Sequence, residues 1–347
     1  MIDVLLLLFL NRFLNLYFFS FFHSKGGVNH SNNDESTIAA RQADPHSHAI
    51  VLDPYVGCIA YVPCLGKDLV REFFYDMKQG KIQEELSFLP SGLATGHPDG
   101  PRYLAFHPKY NIMYVVNELS SSVAVFSVNK ALIREINEAA KNGESLERYR
   151  GRSTLTLIQS VPTIPGAFPK KMNTCGRICL HKSGRFVLVS NRGHQSIAIL
   201  KVKDHGKKCG LLSNVGFFHT RGETPRHFKF DHSGQYLIVA NQDTDNISVF
   251  NFNQSSGKIT FTGHDYRVPS PNFVCCCPIH ENDTNLDTHF NPQSTFYDLS
   301  VAESETESES NETEMTANSR KKIEQDLEQA LNEVDRLKAL LLSFSSM

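Results

Sequence analysis

Residues 225–241 read PRHFKFDHSGQYLIVAN, and this stretch decides the fold because the chain repeats its pattern twice more. Residues 101–117 read PRYLAFHPKYNIMYVVN, and residues 175–191 read CGRICLHKSGRFVLVSN. Each copy contains a short apolar run, a polar stretch and a second apolar run that ends on asparagine. The second residue of each copy stands at the same distance from that asparagine. Self-similarity of this kind is the signature of a repeat architecture.

The repeated unit has the composition of antiparallel β-structure. Its apolar runs are rich in Val, Ile, Phe and Tyr, and several alternate polar with apolar residues. The Ser233-Gly234 pair between two runs is typical of a turn, because glycine tolerates a positive φ. The second residues of the last two copies are 176 and 226, a period of about 50 residues. Four strands at this period predict a β-propeller blade rather than a helical repeat.

The longer interval between the first two copies contains an insertion at Lys130–Arg148. Its apolar residues lie at helical spacing on one face: Leu132, Ile133, Ile136 and Ala140. The pattern predicts an amphipathic surface helix packed on the edge of a blade. A helix that binds a partner protein is the alternative.

The chain carries fewer copies than a closed propeller needs. A weaker copy begins at His46, and Gly263–Cys277 resembles the start of another blade. The predicted fold is therefore all-β, an incomplete propeller with four blades and part of a fifth, followed by a C-terminal α-helix. An open propeller would expose the apolar faces of its terminal sheets. We expect the chain to be a truncated or misassembled product of a longer relative.

Several short stretches of this sequence resemble motifs of the seven-bladed propeller lactonase family. Residues 100–108, GPRYLAFHP, are similar to the family's G-P-R-H-x-x-F-H-P, and residues 116–121, VNELSS, to its V-N-E-L-x-S. SNRG at 190–193, PRHF at 225–228 and the H-x-H of 46–48 also match, so the resemblance covers about His46–Pro278. It implies the seven-bladed propeller fold, and the family's best-known activity is 6-phosphogluconolactonase. A fungal muconate-lactonizing cyclase shares the fold.

The resemblance also implies a site. The matched catalytic residues are His48, Arg102, Glu118 and Arg192, and the matched substrate-binding residues are Arg226 and His46. Lactone hydrolysis needs a polarised carbonyl, an activated water and side chains that bind the anionic groups of the substrate. Arginine binds phosphate and carboxylate bidentately, and histidine can exchange protons near neutral pH. One departure is Arg177, which stands where the family usually has an acidic residue.

Each candidate also has a purely structural interpretation. Arg102 and Arg226 could bond only to neighbouring carbonyls, and Glu118 could be a solvated turn residue. The repeated asparagines and histidines favour structural roles, because chemistry is rarely repeated in every blade: Asn117, Asn191, Asn241, His107 and His181.

The leading functional prediction is hydrolysis of a sugar lactone, 6-phosphogluconolactone to 6-phosphogluconate, in the pentose phosphate pathway of carbohydrate metabolism. The reaction requires no metal and no organic cofactor. A lactonizing cycloisomerase and an inactive propeller scaffold are the alternatives. The formal net charge of −2 gives no indication of nucleic-acid binding.

The two ends of the chain differ from the blades at 46–280. Residues 1–25 are apolar, and 1–22 are long enough for a signal peptide or membrane anchor. Residues 26–45 read as a polar linker and 281–318 as an acidic, Ser/Thr-rich disordered linker. The family resemblance favours the cytoplasm, with a secreted or membrane-anchored protein as the alternative.

In residues 319–342 the apolar residues are spaced alternately four and three positions apart, which predicts a helix with an apolar stripe on one face. Such a helix would dock on the propeller, or form a coiled coil that makes a homodimer or binds a partner protein.

Overall fold

The computed structural model describes residues 35–93 and 97–276, all of which belong to the first of two units, Met1–Ile279. The predictions for residues 1–25, 281–318 and 319–342 lie outside the described residues. The helices and strands are α1 (Glu35–Gln42), β1 (Val51–Leu52), β2 (Ile59–Cys64), β3 (Leu69–Asp76), β4 (Lys81–Pro90), β5 (Pro101–Phe106), β6 (Ile112–Asn117), β7 (Ser122–Val128), α2 (Lys130–Lys141), β8 (Leu155–Pro162), β9 (Thr174–Leu180), β10 (Phe186–Arg192), β11 (Ser196–Val202), β12 (Leu212–His219), β13 (Pro225–Phe230), β14 (Tyr236–Asn241), β15 (Asn246–Phe252) and β16 (Ile259–Arg267).

The sixteen described strands form four antiparallel sheets of four consecutive strands each. We call them blade 1 (β1–β4), blade 2 (β5–β8), blade 3 (β9–β12) and blade 4 (β13–β16). Strands are paired in chain order within every blade, as in a β-propeller. The prediction of an all-β propeller is confirmed. Within the described ranges, no helix has the length and apolar character needed to cross a membrane.

The hydrophobic core lies between successive blades. Along β6, Met113 and Val115 pack in the cluster shared with blade 1, whereas Tyr114 and Val116 pack in the cluster shared with blade 3. This division follows from the two-residue period of a strand. Both faces of β6 are covered, which explains why its sequence is an uninterrupted apolar run.

The inserted helix is present as α2 and packs where the sequence predicted. Asn129 caps it by accepting a hydrogen bond from the backbone N–H of Leu132. Its apolar face, including Ile133 and Ile136, joins the core between blades 1 and 2. The interpretation as a helix packed on a blade edge is therefore confirmed.

The prediction of part of a fifth blade is wrong for the described residues. Strand β16 pairs with β15 and closes blade 4 as its outermost strand, and residues 271–276 lie in no strand. In the same way β12, which directly precedes the repeated stretch of blade 4 in the sequence, closes blade 3 as its outermost strand. The amino-acid pattern identifies an outer strand but not the sheet that accepts its hydrogen bonds.

The linker prediction for residues 26–45 needs a correction as well. Residues Glu35–Gln42 form α1, which supplies a side chain to the candidate site described below. An eight-residue helix carries too little apolar periodicity to stand out in a polar segment.

The repeated asparagines connect each blade to the chain that enters it. The side-chain N–H groups of Asn117, Asn191 and Asn241 donate to backbone carbonyls that precede their blades, at 2.9, 2.6 and 3.0 Å. Each also donates to a serine hydroxyl near the start of the next strand. All three are fully buried. Their predicted structural role is confirmed.

His107 and His181 link each blade to the next. The Nε2 of His107 donates to the carbonyl of Gly184 at 2.9 Å, while its Nδ1 accepts backbone N–H groups of its own turn. His181 bonds Gly234 of blade 4 in the same way, at 3.0 Å. Because Nδ1 accepts in both rings, both are neutral, and burial is the main cause that lowers their pKa values.

We expect the free energy of unfolding to decrease as the pH falls from 7 toward 5. A lowered folded pKa gives stability that is complete above the unfolded pKa of about 6.5 and is lost as the pH falls toward the folded value. The His181→Gln variant should flatten this dependence in urea titrations. The control is His232→Gln, which alters an exposed ring and should keep the wild-type slope. Equal slopes for both variants would contradict the role assigned to His181.

Candidate active site

A β-bulge recurs at the start of the innermost strands of blades 2, 3 and 4. The pairing of β5 with β6 skips a residue between Pro101 and Tyr103, and the pairing of β13 with β14 skips one between Pro225 and His227. A bulge releases a residue from the ladder and redirects its side chain. The released residues are Arg102 and Arg226, the second residues of the repeated stretch.

In blade 3 the equivalent residue is Gly176, which has no side chain to project. A Cβ there would lie 2.6 Å from the hydroxyl of Ser190 and 3.0 Å from the carbonyl of Arg226. Its carbonyl instead accepts a hydrogen bond from Arg102 Nη1 at 2.9 Å. The absence of a side chain in blade 3 therefore lets the arginine of blade 2 reach across.

Glu118 is the centre of the candidate site. It follows β6, and its side chain is fully buried. Its Oε2 lies 2.7 Å from Arg102 Nε, and its Oε1 lies 3.0 Å from Arg192 Nη2 and also pairs with Arg41. Its backbone N–H donates to the Gly100 carbonyl at 2.7 Å, which fixes the main chain. One carboxylate thus holds three guanidinium groups that come from α1, β5 and β10.

The cluster is rich in positive charge. Burial, together with neighbouring arginines, lowers the pKa of Arg41 and Arg102 to about 9, and burial lowers that of Arg192 to about 10. All three remain charged at neutral pH. Arg226 adds a fourth cation whose charge is felt at Arg41 and Arg102. The surplus over Glu118 makes the site suited to an anionic ligand.

His48 lies beside this cluster as a neutral ring. Its Nδ1 bonds the carbonyl of His46 at 2.9 Å. Burial, followed by the charge of Arg102, lowers the pKa of His48 to about 2. His46 itself has a positive φ of 47° and an exposed side chain, so it contributes its carbonyl rather than its imidazole.

The structure brings His48, Arg102, Glu118 and Arg192 into one cluster, with Arg226 at its side. The solvated-turn interpretation of Glu118 is wrong because the side chain is fully buried and ion-paired. Four further residues near the cluster were not singled out as site residues in the sequence: Arg41, Tyr103, Arg177 and His227. Tyr103 and His227 had a usable signal because each directly follows a matched arginine, and Arg177 was visible as a departure from the family pattern, whereas Arg41 had no signal.

His227 and Arg177 lie on the inner strands of blades 4 and 3. His227 is buried, and its Nδ1 accepts the backbone N–H of Val274 at 3.1 Å. Burial, then Arg177 and Arg102, lower its pKa to about 3. Arg177, the departure from the family pattern, places its guanidinium carbon 4.6 Å from the centre of the Tyr103 ring.

Antiparallel four-stranded blades, with a buried carboxylate paired to arginines from two inner blade strands and from α1, define a β-propeller with a positively charged site. The sequence model of the family described as "Lactonase, 7-bladed beta-propeller" matches residues 23–276. The chain therefore belongs to the seven-bladed β-propeller lactonase family, as the motifs predicted.

Named relatives agree with this assignment. A 6-phosphogluconolactonase of Bacillus subtilis is 31% identical over 70% of this chain and 59% of its own length. One of Yersinia enterocolitica is 32% identical over 62% of this chain and 56% of its own. The solved periplasmic gluconolactonase of Pseudomonas aeruginosa has a TM-score of 0.54 and 28% identity, covering 69% of this chain and 59% of that protein. The chain thus spans less than two thirds of the length of these relatives.

Proposed function

We propose that this protein hydrolyses a sugar lactone that carries an anionic group, with 6-phosphogluconolactone as the leading substrate. The observation that supports this most is the convergence of three arginines on the buried carboxylate of Glu118: Arg102 and Arg192 are buried, and Arg41 is partly buried. Relatives named 6-phosphogluconolactonase, at 31–32% identity, point to the same substrate class.

In the proposed reaction, water adds to the lactone carbonyl and the ring C–O bond then breaks, giving a carboxylate and an alcohol. Negative charge develops on the carbonyl oxygen as water adds. Guanidinium groups fixed in a buried site stabilise such charge, because little reorganisation is needed during the reaction. Glu118 holds Arg102 and Arg192 in place through its ion pairs. The Nδ1–H of neutral His48 donates to the His46 carbonyl, so its Nε2 can accept a hydrogen bond from substrate or water without adding charge.

A cytoplasmic location and a place in the pentose phosphate pathway go with the proposed substrate. A homodimer or protein partner bound through residues 319–342 remains a prediction.

An inactive scaffold is the second candidate, and one observation favours it. Both carboxylate oxygens of Glu118 are engaged by arginines, with Arg41 among them. A carboxylate so enclosed has no exposed surface through which to meet a substrate.

The test is the loss of 6-phosphogluconolactone above its spontaneous hydrolysis, with unphosphorylated gluconolactone measured in parallel. We expect the purified, folded protein to accelerate both reactions and to show the lower KM for the phosphorylated lactone, because the arginines add an anion contact. Protein-free samples at each pH are the control. No acceleration by protein with an intact circular dichroism spectrum would favour the inactive scaffold. Equal KM values for the two lactones would contradict the proposed contact with the substrate's phosphate group.

A further inference from the structure

The proposed hydrolysis needs a group that takes a proton from water, and the matched site residues supply none that is well suited. Glu118 is fully buried, with both oxygens in ion pairs. The pKa of His48 is lowered to about 2, and that of nearby His227 to about 3, so both are weak bases. An effective general base has a pKa nearer the working pH.

Tyr103 is a phenol placed among the cations of this site. It follows Arg102 at the bulge of β5, and the guanidinium carbons of Arg102 and Arg177 each lie 4.6 Å from its ring centre. The ring of His48 meets it edge-on, with the centroids 6.4 Å apart. Tyr103 is only partly buried, unlike Glu118 and Arg192, so it remains within reach of solvent.

The charged surroundings of Tyr103 come from several blades and favour its ionised form. Burial alone would raise the pKa of Tyr103, but the charges of Arg102 and Arg177 outweigh it and lower the pKa below its ordinary value. The ionisable groups that face it are Arg102 of β5, Arg177 of β9, Arg192 of β10, Arg226 of β13 and His48. The carboxylate of Glu118 offsets part of this positive charge through its ion pairs with Arg102 and Arg192.

We propose that Tyr103 is the proton acceptor that activates water in the hydrolysis, an assignment that rests on the proposed function. The Tyr103 phenolate removes a proton from water as the water oxygen bonds to the lactone carbonyl carbon. The tetrahedral intermediate then collapses, and its ring C–O bond breaks. The Tyr103 hydroxyl returns the proton to the departing ring oxygen, which becomes the alcohol. The product carboxylic acid loses its proton to solvent.

Arg177 acquires a role in this scheme as a positioning residue. The positive charge of its guanidinium group stabilises the Tyr103 phenolate. The Arg177→Met variant should therefore keep the base but move the acidic limb of the kcat/KM profile to higher pH.

The experiment measures kcat/KM from pH 6 to 9, after subtraction of spontaneous hydrolysis, for wild type, Tyr103→Phe and Arg177→Met. We expect Tyr103→Phe to lose about 10²- to 10⁴-fold in rate and to lose the acidic limb. The control is Tyr236→Phe, which removes an exposed hydroxyl on β14 and should leave the profile unchanged. An ultraviolet titration of tyrosinate, wild type minus Tyr103→Phe, should show ionisation at a pH below the ordinary tyrosine pKa of about 10.

The outcomes separate the two proposals. Absence of acceleration by wild type overturns the lactonase function and the assignment of Tyr103 together. Acceleration that survives in Tyr103→Phe with its acidic limb intact overturns the assignment of Tyr103 alone. If Tyr103→Phe does not fold, Arg177→Met decides, and a profile identical to wild type overturns the assignment.

Discussion

The Glu118→Gln variant is expected to lose about 10²- to 10³-fold in kcat/KM and about 3–5 kcal/mol in the free energy of unfolding. The stability loss follows from charge. Glu118 is the carboxylate that pairs with Arg41, Arg102 and Arg192, and Arg192 is itself almost completely buried. Removing one partner of a buried ion pair leaves uncompensated charge in a medium of low polarity. The loss of activity follows because arginines that repel one another no longer hold a fixed geometry.

Urea unfolding and lactone kinetics at one temperature would measure the two effects. The matched control is Glu85→Gln, which removes a carboxylate that Arg71 holds at 2.7 Å on a half-exposed surface. Exposed pairs contribute at most about 1 kcal/mol, so the control should retain nearly full stability and activity. A Glu118→Asp variant keeps the charge and should recover part of the stability. Wild-type stability for Glu118→Gln would contradict the central place of this carboxylate.

The repeat and the motifs that resemble the lactonase family identify the fold and several site residues from sequence alone. The constant spacing between the bulged residue and the closing asparagine, 102 to 117 and 226 to 241, reflects one blade geometry. Glu118 follows directly after that asparagine, at a place where the copies differ. A position that departs from the repeat is therefore the clearest sequence signal of where chemistry can occur.

What the sequence does not reveal depends on contacts between distant segments. Arg41 reaches Glu118 from a short helix before blade 1, and no spacing rule connects the two. The meaning of Arg177 is also hidden, because the departure from the family pattern is visible but its contact with Tyr103 of another blade is not. The assignment of Gly263–Cys277 to a fifth blade fails for the same reason, since tertiary packing decides which sheet an outer strand joins.

The Gly193→Ala variant is expected to lose about 3–5 kcal/mol in the free energy of unfolding, through overpacking and backbone strain together. Gly193 follows Arg192 and has a φ of +117°, a conformation that favours glycine. A Cβ there would lie 1.8 Å from the carbonyl oxygen of Met172 and 2.9 Å from its carbonyl carbon. Backbone atoms cannot rotate away as a side chain can, so either strand β10 or the segment containing Met172 must move.

That displacement should reach the candidate site, because Arg192 is the next residue. Its Nη2 donates to the Cys175 carbonyl at 2.7 Å and lies 3.0 Å from Glu118. We therefore expect kcat/KM to fall even in the folded fraction, as a shift of about 1 Å can cost 10²-fold in rate. The control is Gly166→Ala, where an added Cβ meets nothing within 4 Å and stability should change by less than about 1 kcal/mol. Unfolding of Gly193→Ala at the same urea concentration as Gly166→Ala would contradict the close contact between residue 193 and the Met172 carbonyl. If it unfolds earlier but its folded fraction retains wild-type kinetics, Arg192 does not depend on this turn for its position.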